Sequence, residues 1–222
     1  MSDIKREFLS SRLPFWDRLR ENQRDALVAG ARTARYKKGS QLADVGEDFG
    51  VIFVKRGRIC AIAVSEEGRE VALLCCYSGD VCLLAAHVFM DTASFNISIS
   101  AETEADVMII DTKTFSDVCK SNIHAESYIR RVISDHFGLV VGNIHHMLIQ
   151  SPERRIASYL CSAAERTGSG KVRATHEQIA KHVGTAREVV TRTLKKMAVE
   201  GMILSERGFV VIKDKAALKK LV

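Results

Sequence analysis

The sequence predicts an α+β chain in three parts: an N-terminal antiparallel β-roll, a long helix, and a basic unit of short helices closed by a strand pair. Three observations carry this. Glycines at turn-like spacing punctuate strand-like runs between residues 36 and 111. A proline-free stretch from Thr114 to Gln150 repeats apolar residues at steps of three or four. Positive charge collects after residue 150.

In the first part, "GVIFVKRGRICAIAVSEEGREVALLCC" carries β-branched and aromatic runs broken at Gly57 and Gly68. Gly39, Gly46, Gly50 and Gly79 continue the punctuation, and "ASFNISISAETEADVMIID" adds two partly alternating runs. Many short strands at this spacing predict a roll or barrel, of double-stranded β-helix or jelly-roll type, with flanking helices.

In the second part, Ile129, Val132, Ile133, His136, Val140, Ile144 and Met147 form a helical stripe. That face lies on the β-domain or pairs with a second copy. A seam of about three heptads favours a dimer. Gly138 and Gly142 each lower helix propensity by about 1 kcal/mol, so packing must offset them. "QSPERR" then ends the pattern: Ser151 suits an N-cap, Pro152 the first helical position and Glu153 the first turn, with a helix to about Arg166 and a loop at "TGSGK". The expected divisions are 1–113, the roll with its flanking helices, 114–150, the dimerisation helix, and 151–222, the basic unit.

That basic unit holds 15 Lys and Arg against seven Asp and Glu, a net of +8, leaving −2 for residues 1–150. Such asymmetry points to an anionic partner for the C-terminal part. Thr175 with Gln178 makes a capping box that opens one helix, Gly184 permits a sharp turn, and Thr185 with Glu188 offers a second box. Two helices across a glycine turn are the helix-turn-helix pattern. At about 100° per residue, Arg187, Thr191, Lys195, Glu188 and Arg192 share one side of the second helix, opposite Val189, Val190, Thr193, Leu194 and Met197. Arginine forks onto guanine, glutamate accepts from cytosine, and threonine takes a phosphate or a thymine methyl. The bland alternative is a solvated face closed by a Glu188–Arg192 pair. "GMILSERGFVVIKD" reads as strand, turn at Arg207-Gly208, strand: a wing. Double-stranded DNA is the expected partner, through Thr175, Thr185, Arg187, Glu188, Thr191, Arg192, Lys195 and Lys196.

Over nearly its full length the chain resembles the CRP/FNR superfamily of bacterial transcription regulators. The likeness is carried by "LPFWDRL", "EEGREVALL", "SGDV", "RRIASYL", "EQIAKHVGTAREVVTRTLKKMAVEGMI" and "FVVIKD". The resemblance implies a homodimer on a palindromic operator, a small effector bound by the β-roll, RNA polymerase as a partner, and base reading by Arg187, Glu188 and Arg192. Ala186 stands where Ser is frequent in the family.

The effector class narrows by absence. The family's phosphate cassette pairs Gly-Glu with a later arginine; here Gly79-Asp80 stands instead, and no arginine occurs between Arg69 and Arg130. A buried phosphate without a guanidinium is poorly compensated, which argues against a cyclic nucleotide. No cysteine precedes Cys60, which argues against the family's iron–sulfur cluster. Cys75, Cys76, Cys82 and His87 then mark the candidate effector region: a haem ligand at Cys75 or His87, a Cys76–Cys82 thiol switch, or small core residues. This haem- or thiol-based reading is the alternative to an unknown small effector. His136, His145 and His146 are expected to be solvated or paired, and no metal site is expected. No C-x-x-C, nucleophile–base pair or phosphate-cradling glycine loop points to an enzyme. With no apolar run near the roughly 20 residues of a bilayer span and a polar N-terminus, a cytoplasmic protein without membrane contact is expected.

Overall fold

The run Val51-Ile52-Phe53-Val54 is apolar at every position because its strand is buried on both faces. In the computed structural model, which describes residues 2–43, 49–64, 70–83 and 97–222, this strand is β3 (Val51–Arg56). It lies in a four-stranded antiparallel sheet of order β1-β8-β3-β6, with β1 Ala31–Tyr36, β8 Ala105–Ile110 and β6 Val81–Cys82. Phe53, Met108 and Ile110 face one core with Phe115 and Leu27, while Ile52, Val107 and Ile109 face another. The second core is closed by a second antiparallel sheet, β2-β7-β4-β5, built from Gln41–Ala43, Ile97–Ala101, Arg58–Val64 and Glu70–Tyr77. β5 alternates buried and half-buried residues over Ala72–Tyr77, the pattern of a strand packed on one side.

Helices α1 (Ser2–Arg12) and α2 (Glu21–Gly30), with a 3₁₀ turn at Trp16–Arg18 between them, cover the first core together with α3 (Thr112–Ser121). The expected single helix over 114–150 is two. α3 ends at Asn122, whose Oδ1 accepts from the backbone N–H of His124 and Ala125 and so caps α4 (Ile123–Ile149). Asn is a strong N-cap because its side chain replaces the missing intrahelical acceptors.

The chain divides into two compact units, one built on Met1–Val64 and Leu73–Val140, the other on Ser65–Ala72 and Val141–Val222. In the second, α5 (Pro152–Thr167) starts on the Ser151 cap, whose side chain accepts from Arg154 N–H. It is followed by α6 (His176–Val183), α7 (Arg187–Val199) and α8 (Lys215–Lys220). The wing is a three-stranded sheet of order β10-β11-β9: Ile203–Glu206, Phe209–Ile212 and Lys171–Val172. Its third strand and α8 are additions to the expected strand pair. Ile156, Leu160, Ile179, Val190, Leu194, Met197 and Leu218 form this unit's own core. Among the described residues no helix is long and apolar enough to cross a membrane.

Candidate nucleic-acid interface

The turn between α6 and α7 is held from both ends. Thr175 caps α6 and exchanges bonds with Gln178, as its spacing predicts. At the other end Gly184 sits at φ +63° and ψ 48° and donates its N–H to Ala180 O. The Thr185 N–H also goes to Ala180 O, at 3.1 Å. Arg155 of α5 donates Nη1 to Val183 O at 2.5 Å and to Gly184 O at 3.2 Å, satisfying carbonyls that the helix end leaves open. Burial lowers the Arg155 pKa, and its Nε is buried without a partner. Nothing local in the sequence marks this positioning role, because the arginine stands 29 residues before the turn.

The second capping box is corrected. Thr185 is spent closing α6, so Ala186 becomes the N-cap of α7 and offers no side-chain bond. The first N–H groups of α7, at Arg187 and Glu188, therefore have no capping side chain. An N-terminus of this kind suits an anion.

α7 buries Val190, Leu194 and Met197 completely. Arg187, Glu188, Thr191, Arg192, Lys195 and Lys196 are exposed. Among the described residues Arg187, Glu188, Arg192 and Lys195 make no ion pair, and the Glu188–Arg192 pair is not formed. Two side chains are less free than the wheel implies. Lys196 pairs with Glu153 at 2.9 Å and Glu200 at 4.0 Å, and its pKa is raised chiefly by the hydrogen bond to Glu153. The Thr191 hydroxyl donates to Arg187 O and lies 2.9 Å from His176 Nδ1. Thr175 is exposed but engaged as the α6 cap, and Thr185 is half-buried. In the wing, Lys171 Nζ sits 3.6 Å from the Phe209 ring centre, and Arg207 and Gly208 form the exposed tip.

The α4 stripe divides. Ile129 is buried in the first unit's core, with Val132 and Ile133 packed against it, and Val140 packs against the inter-sheet core. His136 is half-buried, and burial holds its imidazole below the ordinary range. Met147 lies close to Gly184. Of the expected seam only Ile144 is open. A different set, Phe137, Val141, Ile144 and Leu148, is exposed at steps of four, three and four.

In the roll, Cys60 of β4 and Cys75 of β5 form a disulfide. The expected Cys76–Cys82 bond is not formed: neither sulfur is in a disulfide, both lie in the inter-sheet core, and the hydrogen bond of the Cys76 thiol with Cys82, together with burial, drives the Cys76 pKa far up. Cys75 and Cys76 point to opposite faces, as adjacent strand residues must. With its sulfur in a disulfide, Cys75 has no thiolate to offer a haem iron. His87 lies outside the described residues.

Comparison with known proteins agrees with this architecture. Residues 154–221 match the Crp-like helix-turn-helix domain model. The crystal structure of a regulator assigned to the crp/fnr family, from Eubacterium rectale ATCC 33656, is 30% identical, with 95% of this chain and 98% of that one covered at a TM-score of 0.88. FixK2 from Bradyrhizobium japonicum is 16% identical over 86% of this chain and 96% of its own, TM-score 0.71, a likeness of fold. Transcriptional regulator SdrP of Thermus thermophilus is 33% identical over 84 residues, 35% of this chain; the match spans less than half of SdrP, 42%.

Proposed function

The chain belongs to the CRP/FNR family of transcription regulators, and from that premise we propose that it acts as a homodimer on a palindromic operator, reading bases with α7. The observation that carries this is the contrast on α7 itself: Val190, Leu194 and Met197 are fully buried while Arg187, Glu188, Arg192 and Lys195 stand exposed and without ion pairs among the described residues. Leaving three cations and one acid unpaired on one helix face is poor economy for a purely structural surface and suits an edge-reading helix in a major groove. Arg187 and Arg192 take guanine edges and Glu188 a cytosine amine. Lys195, Arg207 and the open N–H groups of α7 take phosphates.

Phe137, Val141, Ile144 and Leu148 supply the dimer seam, replacing the Ile129-centred stripe. A two-fold dimer places its half-sites about one helical turn, 34–36 Å, apart. RNA polymerase is the proposed protein partner. Replacing Arg187 by Ala is expected to cost about 1–3 kcal/mol on the cognate operator and to relax preference at one base pair. Fluorescence anisotropy on cognate and scrambled duplexes checks this; equal losses on both contradict base reading by Arg187.

For the effector, one observation favours a thiol-based reading over haem. The Cys60–Cys75 disulfide ties β4 to β5 in the roll. An external dithiol reduces it with two electrons and two protons to a pair of thiols, and operator affinity follows that change. Operator binding by the wild type that differs at least severalfold with and without dithiothreitol, and a Cys60→Ser variant that no longer responds, are the expected results. Identical affinities in both states set this reading aside and leave an unknown small effector.

A further inference from the structure

Outside the helix-turn-helix, one cavity combines groups that nothing in the DNA reading uses. It has a volume of about 340 Å³ and is lined by Pro14, Phe15, Arg18, His124, Ser127, Tyr128 and Arg131. One wall is aromatic, with the Phe15 and Tyr128 rings 5.3 Å apart and tilted by 54°. The remaining polar lining is two guanidiniums, an imidazole and a hydroxyl, with no carboxylate.

Three further observations set this cluster apart from an ordinary solvated surface. First, among the described residues five arginines of the same unit are matched with acids, Arg6 with Glu21 and Asp25, Arg24 with Glu21, Arg35 with Asp106, Arg58 with Glu102, and Arg130 with Glu126, while Arg12 and Arg32 lie over the Phe8 and Phe49 rings. Among the described residues Arg18 and Arg131 have no such partner, although Asp17 and Asp135 lie within one helical turn of them in sequence. Second, the walls are fixed to each other. Asn122 Nδ2 donates to Arg18 O at 2.8 Å, and Gln23 Nε2 donates to Ser121 Oγ at 3.0 Å, joining the segment after α1 to the α3–α4 junction. Third, burial raises the Tyr128 pKa, so its phenol is a neutral O–H and a donor. The first N–H groups of α4 are already taken by Asn122, so it is side chains, not the helix end, that supply the positive field.

We propose that this cavity binds a small planar anion, an aromatic ring carrying one carboxylate or phosphate group. The ring lies against Phe15 and Tyr128, and the anionic group is held by the Arg18 and Arg131 guanidiniums, which pair with such oxygens in a forked geometry. Its volume is at the low end of the roughly 300–1,000 Å³ typical of ligand pockets, which fits one ring with one charged group and excludes a haem. On α4, Ser127, Tyr128 and Arg131 lie roughly 100–200° around the helix from Ile144, well away from the Phe137–Leu148 seam. The site therefore stays open in the proposed dimer and stands or falls independently of the DNA reading.

Trp16 is the chain's one tryptophan and directly follows Phe15, which makes it a built-in reporter. The test is titration of the full-length protein with phenyl phosphate, benzoate, cyclohexanecarboxylate and inorganic phosphate, followed by Trp16 fluorescence and calorimetry. Saturable binding of the two aryl anions is expected, with cyclohexanecarboxylate and inorganic phosphate at least severalfold weaker. Arg18→Gln and Arg131→Gln are each expected to weaken aryl-anion binding about tenfold or more, the loss of a charge-assisted contact. Both side chains are exposed, so thermal melting and operator affinity of these variants should match the wild type. The proposal is overturned if no aryl anion saturates, if both variants bind as the wild type does, or if the non-aromatic anions bind equally well.

Discussion

Gly184 and Arg155 hold the turn that leads into α7, the first by its own left-handed backbone and the second by a guanidinium bonded to two turn carbonyls. Gly184 has positive φ, and a Cβ there would meet the Met147 sulfur at 2.8 Å. Met147 is flexible and can yield; the left-handed backbone cannot be relieved so readily. Gly184→Ala is therefore expected to destabilise the C-terminal unit by about 1–2 kcal/mol, the cost of that conformation for an L-residue. Chemical denaturation followed by circular dichroism measures it. The glycine was legible from the sequence, since it separates two amphipathic segments. The Thr185 box was misread for a definite reason: the residue after a left-handed cap gives its N–H to the preceding helix, so the next helix starts one position later than the capping pattern suggests. Arg155 was not legible, because its bond to the turn spans elements that only the fold brings together.

At the level of the element, α4 shows what periodicity leaves open. Steps of three and four run along more than one side of this helix, and either set fits a buried stripe. The sequence alone could not say which side the protein's own body would take. The structure gives Ile129, Val132 and Ile133 to the roll and leaves Phe137, Val141, Ile144 and Leu148 exposed. Leu148, 81% exposed, continues that row, and a contiguous exposed apolar row, unlike a lone leucine, suits a partner helix. Leu148→Glu is expected to shift the protein from dimer to monomer at micromolar concentration in sedimentation velocity while leaving the melting curve of the monomer intact. Ile129→Glu, by contrast, is expected to unfold the N-terminal unit. If Leu148→Glu remains dimeric, the seam lies elsewhere. The break at Asn122 was legible in principle, since Asn is a strong cap, but an apolar pattern on both sides masked it.

Across the whole molecule, the β-roll was readable because glycine turns and strand-like runs alternate, and because a sheet buried on both faces leaves a continuous apolar run such as Val51–Val54. The disulfide was not readable: six cysteines permit many pairings, and only the strand order β7-β4-β5 makes Cys60 and Cys75 neighbours. Closing a loop of 15 residues is worth about 3 kcal/mol in the chain-entropy model, so the Cys60→Ser, Cys75→Ser double variant is expected to unfold at correspondingly lower urea. Loss of the reductant's effect on stability in that variant checks the pairing itself. The charge asymmetry, +8 after residue 150 and −2 before it, is visible in composition and puts the excess of cations, which nucleic acid attracts, in the C-terminal part.

The central claim is that the exposed face of α7 selects base pairs. Selection from a pool of randomised duplexes, run in parallel for the wild type, Arg187→Ala and Arg192→Ala, tests it most directly. The expected result is an enriched palindrome with half-sites about one turn apart, in which each variant loses preference at its own symmetric pair of positions and keeps the rest. Enrichment of the same sequence, to the same degree, by all three proteins would contradict the account.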